Sequence, residues 1–188
     1  MPSEPAAAPS PTRPAMPPWL ALTVTVLAVY RACYHLIYLR DDPFAVATIS
    51  DGRIYERAAL DVLAHPPLGS EPFYLQGLYA YQLAVPMAFG QLALALVVQL
   101  LIALLGWWLL ARTCRAWLGT RTAGLVLLLA LSIPALAFYE NKFLSAELTV
   151  VCSIAMLAAW AWFERHASWP AALACGCAGG LAVLARPN

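Results

Sequence analysis

Five apolar runs, over roughly 19–39, 89–110, 122–138, 148–163 and 169–185, take up about half of this chain of 188 residues. Each is close to the roughly 17–25 residues an α-helix needs to span the hydrocarbon of a bilayer. A water-soluble fold has nowhere to hide them. Hydrophobic residues make up 62% of the chain, charged ones 11%, and the mean hydropathy is +0.71, against about 45–50% apolar and about 25% charged in an ordinary soluble domain. Lipid accepts apolar side chains on every face of a helix, provided the backbone satisfies its own hydrogen bonds. The expected architecture is therefore all-α: a polytopic membrane helix bundle of about five transmembrane helices, with the lipid bilayer as its first partner. The net charge of +1 implies no bulk attraction to nucleic acid.

Residues 1–18 hold seven prolines among Ala and Ser. Such a segment buries too little surface to fold and reads as a disordered tail. Residues 19–188 form one transmembrane domain. The first apolar run is too long for the core of a signal peptide and has no small-residue cleavage site after it, so it reads as a retained anchor. The chain stops at Ala185-Arg186-Pro187-Asn188, at the edge of the fifth run. That suggests the N-terminal part of a longer protein, the alternative being a genuine small membrane protein.

Charge sets the expected orientation through the positive-inside rule. With the N-terminus in the cytoplasm, the inner segments carry Arg13, Arg112, Arg115, Arg121 and Arg165 against only Glu4 and Glu164. The outer segments then hold Asp41, Asp42, Asp51, Glu56, Asp61, Glu71, Glu140 and Glu147. A loop of roughly 50 residues between the first two runs faces outward, in a bacterial inner (plasma) membrane.

That loop holds the first candidate chemistry. After Ser50-Asp51-Gly52, residues 53–64 show helical spacing of Ile54, Ala58, Ala59, Val62 and Leu63, with Arg53, Glu56, Arg57 and Asp61 opposite. This predicts an amphipathic helix along the membrane surface, capped by Ser50 or Asp51 and carrying an Arg57–Asp61 pair at i,i+4. The loop ends in an aromatic stretch over 73–81, of a kind suited to the bilayer interface. Asp51 has two readings. It is a helix cap favoured by the macrodipole, or a carboxylate held at the surface as a general base.

In the first run, Arg31, Tyr34, His35 and Tyr38 stand at i, i+3, i+4 and i+7, on one helical face. Arg31 either snorkels to the interface or faces a bundle interior or watery cavity. His35 reads as a hydrogen-bonding wall residue before a catalytic one. Beyond the third run, Tyr139-Glu140-Asn141-Lys142 and Glu147 make either the second half of a polar site or a solvated turn with Glu147 capping the next helix. Arg186 suits a phosphate or snorkels. The five cysteines form no Cys-x-x-Cys pair and have no histidine at ligand spacing. They read as small apolar side chains rather than as zinc ligands or disulfides.

The order of these features resembles the N-terminal part of the GT-C-fold glycosyltransferases, in particular the family 39-like group related to protein mannosyltransferases and the lipid A aminoarabinose transferase. The resemblance runs from about Leu39 to Asn188. Its most specific pieces are Ser50-Asp51-Gly52-Arg53-Ile54-Tyr55-Glu56-Arg57-Ala58 and Gly180-Leu181-Ala182-Val183-Leu184-Ala185-Arg186-Pro187-Asn188. It implies an inverting enzyme that takes a hexose or pentose from a polyprenyl-phosphate-linked sugar donor and passes it to a lipid, glycan or protein acceptor on the outer face. Asp51 would be the catalytic base or, in metal-using relatives, a ligand of a divalent metal. Glu147, before Glu140, would match a second acid. Arg186 would stand near the carrier phosphate, with Arg31, Tyr55, His35 and Lys142 as further carrier or substrate contacts. The sequence departs from the pattern at Gly77-Leu78-Tyr79-Ala80-Tyr81, where the family carries Pro-Leu-Tyr-Pro-Tyr; losing two prolines should loosen that corner. A transporter or flippase fragment and a non-catalytic scaffold are the competing readings. The first of these expects charges in mid-span, of which Arg31 is the one visible in the sequence.

Overall fold

The computed structural model describes residues 15–185. Most of the proline-rich tail and Arg186 lie outside them. Eight α-helices follow in order: α1 Pro18–Asp41, α2 Asp51–Ala64, α3 Gly77–Met87, α4 Leu92–Leu118, α5 Thr120–Ser132, α6 Pro134–Glu140, α7 Ala146–His166 and α8 Trp169–Ala185. No strand occurs among the described residues.

Proline sets most of the boundaries. α1 opens on Pro18 at its first position, where the missing N–H is no loss. It ends before Pro43, where Asp42 Oδ1 accepts a hydrogen bond from the Phe44 amide at 2.8 Å and starts a 3-10 turn over Pro43–Ala45. α2 stops ahead of Pro66-Pro67.

Three helices are long and apolar enough to cross a membrane: α1, α4 and α7. The third expected span is not one straight helix. Pro134 has no amide hydrogen to give, and it disfavours helical geometry at Ile133. The chain breaks there, and α6 leaves α5 at 67°. Counting that bent pair as one span gives four. α8 is a shorter apolar helix, with 17 residues up to Ala185, the last of the described residues. By length and composition the described residues give three candidate spans, or four with the bent pair, where about five were expected. The second expected span begins at Leu92 rather than 89 and runs on to Leu118.

The spans pack with little burial. Trp19, Leu22, Val26, Tyr30, Leu36 and Ile37 on α1 are all exposed, as expected of helices meant to face lipid, where apolar surface has no reason to hide. Close approach is bought by small residues: at Gly106 of α4 a Cβ would stand 2.9 Å from Val151 Cγ2 of α7. The large buried side chains gather at one end instead. There Tyr38, Tyr55, Val62, Tyr79, Leu83 and Leu96 form a continuous core with Phe143, Leu148 and Ala185.

α2 and α3 build the roof of that core. α2 buries Gly52, Tyr55, Ala59 and Val62; of the expected apolar face Ala59 and Val62 are inside, Ile54 and Ala58 are half-buried and Leu63 is exposed, while Tyr55 joins the inward side. The aromatic stretch is helical from Gly77. Tyr79 is 1% exposed rather than at an interface. With Gly77 and Ala80 rather than proline in the stretch, nothing stops a helix from Gly77 onward.

Asp61 does not pair with Arg57. Its carboxylate accepts from the Ser70 amide (2.7 Å), the Ser70 hydroxyl (2.6 Å) and the Glu71 amide (3.3 Å), and meets His65 Nδ1 at 3.0 Å. It closes the loop after α2. Led by the Ser70 bonds, these partners hold its pKa at about 2, below the usual 3.8. A carboxylate depressed by folding stabilises above its unfolded pKa and loses that contribution as pH falls through the folded one. The Ser70 and Glu71 amide resonances should therefore hold steady down to about pH 4 and shift as pH falls toward 2. Asp61→Ala should release the loop at every pH, seen as faster amide exchange over 65–71.

Candidate functional site

Asp51 opens α2 and is exposed. Ser50 before it holds φ 49° and ψ −126°, a conformation that L side chains adopt only under strain, and strain of this kind tends to gather at functional sites. Ser50 stands at the N-cap position as expected, but its side chain makes no capping hydrogen bond to the first turn. Its hydroxyl lies 3.5 Å from Asp51 Oδ1 instead. Arg53 Nε donates to the Thr48 carbonyl at 3.0 Å, and the Thr48 hydroxyl donates to Glu56, so the entry to α2 is tied to its own first turns. Gly52 lets this end seat closely: a Cβ there would stand 3.3 Å from the Phe143 carbonyl oxygen.

Tyr55, one turn on from Asp51, points inward. Its hydroxyl donates to Gln76 Oε1; the Ser145 hydroxyl, 2.9 Å from it, donates to the same Gln76 oxygen at 3.0 Å. Its ring meets Tyr79 edge-on, with centroids 4.7 Å apart. Burial raises the Tyr55 phenol above its usual 10, and raises that of Tyr79 further. Both stay protonated at neutral pH and act as donors. Tyr79 gives its proton to Gln99 Oε1 at 3.0 Å, while Gln99 Nε2 donates to the carbonyls of Tyr139 and Lys142, each at 2.9 Å. Gln99 is 0% exposed. One α4 side chain thus fastens the turn between α6 and α7 to the roof.

That turn presents Lys142. Its ammonium donates to the Tyr38 hydroxyl at 3.0 Å and lies 4.5, 5.3 and 5.7 Å from the ring centres of Tyr38, Phe138 and Phe44. An aromatic surround of this kind holds a cation without a carboxylate partner.

Arg31 does not snorkel. It is buried, pairs through Nη2 with Glu140 Oε1, and donates through Nη1 to the Ile133 carbonyl at 3.2 Å. Trp107 Nε1 donates to the same carboxylate oxygen at 3.1 Å. The Ile133 carbonyl is freed where Pro134 breaks the helix, so Arg31 answers both the break and the buried acid. Glu140 is accordingly neither solvated nor a turn residue, but the centre of a joint between α1, α4 and α6. Tyr34, expected on the same face, is 36% exposed.

Glu147 is 4% exposed, and neither of its oxygens has a hydrogen-bond partner. Far from capping α7 in water, it lines a cavity of about 210 Å³ between α4, α6 and α7, together with Glu140, Trp107 and Val151. His35 is 1% exposed. The Asn141 amide acts on its ring, but neither ring nitrogen meets hydrogen-bond geometry. The expected hydrogen-bonding wall residue therefore keeps only the wall. Thr149 donates to the Ala185 carbonyl, which brings the end of α8 to the start of α7.

The fold gathers the 48–55 segment, the 139–147 segment, the C-terminal end of α1 and Ala185 of α8 at one end of the bundle. It does not join Asp51 to Glu147: no hydrogen bond links them, and Asp51 is exposed while Glu147 is buried. A divalent metal does not fit Asp51, because among the described residues no three His, Cys, Asp or Glu side chains group at metal-holding distance. All five cysteines are free. Sequence reasoning passed over Gln99, Gln76, Trp107 and Ser145. Gln99 was findable, as an amide in the middle of an apolar run demands partners. Comparison with protein-family models, curated proteins and solved structures gives no significant match to this chain.

Proposed function

We propose that this chain is the acceptor-side part of a membrane glycosyltransferase, oriented with its N-terminus in the cytoplasm and α2 along the outer surface. The observation that carries the reading is the exposed Asp51 at the first turn of a helix whose inner face is clamped, through Tyr55, Gln76 and Ser145, to the turn bearing Lys142. A base needs a fixed position and access to an incoming acceptor, and this arrangement supplies both. Asp51 takes the proton of an acceptor hydroxyl or amine. The acceptor heteroatom bonds to the anomeric carbon from the opposite side, and the sugar–phosphate bond breaks to leave the polyprenyl phosphate. In this reading Arg186, outside the described residues, is the carrier-phosphate contact. Glu147 keeps a lesser role, because it is shut away from the surface.

Sugar transfer from radiolabelled polyprenyl-phosphate sugars, in membranes carrying the full reading frame, tests it. Asp51→Asn should lower transfer by about 10²-fold or more, the usual contribution of an acid–base group. Equal transfer by the Asn variant reduces Asp51 to a first-turn acid on the helix dipole.

A second reading has one observation behind it. A carboxylate without a partner beside an apolar cavity, with an ion pair next to it, is what transport proteins keep inside a membrane. If no sugar donor is turned over and ion or lipid flux depends on Glu147, transport displaces transfer.

A further inference from the structure

At the opposite end of the bundle from Asp51, α4, α7 and α8 enclose a cavity of about 600 Å³. Its walls are stripes at helical spacing: Ala155, Ala158, Ala159 and Trp162 on α7, with Ala174 and Ala178 on α8. Arg112 of α4 and Arg165 and His166 of α7 also line it, near the ends of their helices. Neither arginine has a carboxylate partner among the described residues; Arg112 lies over the Trp108 ring, 5.4 Å from its centre. The acid nearest in sequence, Glu164, accepts instead from Trp160 Nε1 at 2.8 Å. Exposed Trp117, Trp162 and Trp169 mark this end as the level of a membrane interface.

We propose that this groove binds a membrane phospholipid with an anionic headgroup, its phosphate at Arg112 and Arg165 and one acyl chain along the alanine walls. Two features fit that occupant. From Ala155 to Arg165 the groove follows α7 for about 15 Å at 1.5 Å per residue, half of the ~30 Å hydrocarbon core and so the depth of one leaflet. Its charged lining comes from the last two turns of α4, at Arg112, and the last turn of α7, at Arg165 and His166, and basic pockets between spanning helices take anionic headgroups. A second copy of this chain would meet two uncompensated arginines with two more. The site shares no residue with the end that carries Asp51, and stands whether or not that end transfers sugar.

The test is lipid retention by the intact protein, purified from nanodiscs of equal phosphatidylglycerol and phosphatidylethanolamine and read by native mass spectrometry. Wild type should keep phosphatidylglycerol over phosphatidylethanolamine. Arg112→Gln/Arg165→Gln should lower its retention by about thirtyfold, at the usual contribution of a basic residue near an anionic surface. Ala159→Leu and, separately, Ala178→Leu fill the groove and should lower retention of both lipids. Equal retention of the two lipids by wild type overturns the proposal, as does a double variant that keeps phosphatidylglycerol unchanged. So does efficient crosslinking of Ala159→Cys between two copies, which would make the groove a self-interface.

Discussion

Replacing Arg31 by methionine should destabilise the bundle by about 3–5 kcal/mol, the usual loss when a buried ion pair is broken from one side. Glu140 would be left with the Trp107 indole alone, and the Ile133 carbonyl would lose its donor. Reversible unfolding in mixed micelles measures the loss. The test of cause is the double variant Arg31→Met/Glu140→Leu. Removing both charges leaves no uncompensated acid, so the pair should recover most of the stability and give a large coupling energy. If the two losses simply add, Arg31 acts through its stem and not through Glu140. Arg31→Lys should fall between, because an ammonium cannot reach the carboxylate and the carbonyl in the forked geometry of a guanidinium.

Gln99→Leu should be nearly as damaging, at about 3 kcal/mol. The Tyr79 hydroxyl would lose its acceptor inside a sealed core, an orphaned group of about 1–3 kcal/mol. The Tyr139 and Lys142 carbonyls would each lose one of two bonds, keeping only the Lys142 and Leu144 amides at 3.3 and 2.8 Å, for about 0.5–1.5 kcal/mol each. Tyr79→Phe removes the first of these bonds alone and should lose only about 1 kcal/mol. The two variants differ in kind as well as size. Gln99→Leu unfastens the α6–α7 turn, so amide exchange over 139–145 should quicken while the α7–α8 hairpin keeps its protection. If Tyr79→Phe loosens that turn equally, the anchor is the roof and not the amide.

Much of the architecture was legible in the residues. Apolar runs dictate helices because lipid leaves the backbone no other partner, and the ends of α1 and α2 follow from proline and loop composition. The gathering of Asp51, Tyr55, Lys142 and Glu140 at one end follows from the alternation of helices joined by short turns. What no pattern of single residues carried was the partner of each polar group. Arg31 and Glu140 are 109 positions apart; read singly, one looks like a snorkelling cation and the other like a solvated acid. Only the break at Pro134, which folds α6 back toward α1 and α4, makes them a pair. Glu147 stands in a turn that by composition belongs in water, and is buried because α4 and α6 close over it. The inward face of α2 was legible only in part, for a related reason. Amphipathic spacing placed Ala59 and Val62 on the inward face, but the burial of Gly52 and Tyr55 depends on their close seats on Phe143 and Tyr79. Hydrophobicity is a property each residue carries alone, and it determined the class of fold; hydrogen bonds and ion pairs in a water-poor interior require two groups at one distance, and only the packed helices decide which two those are.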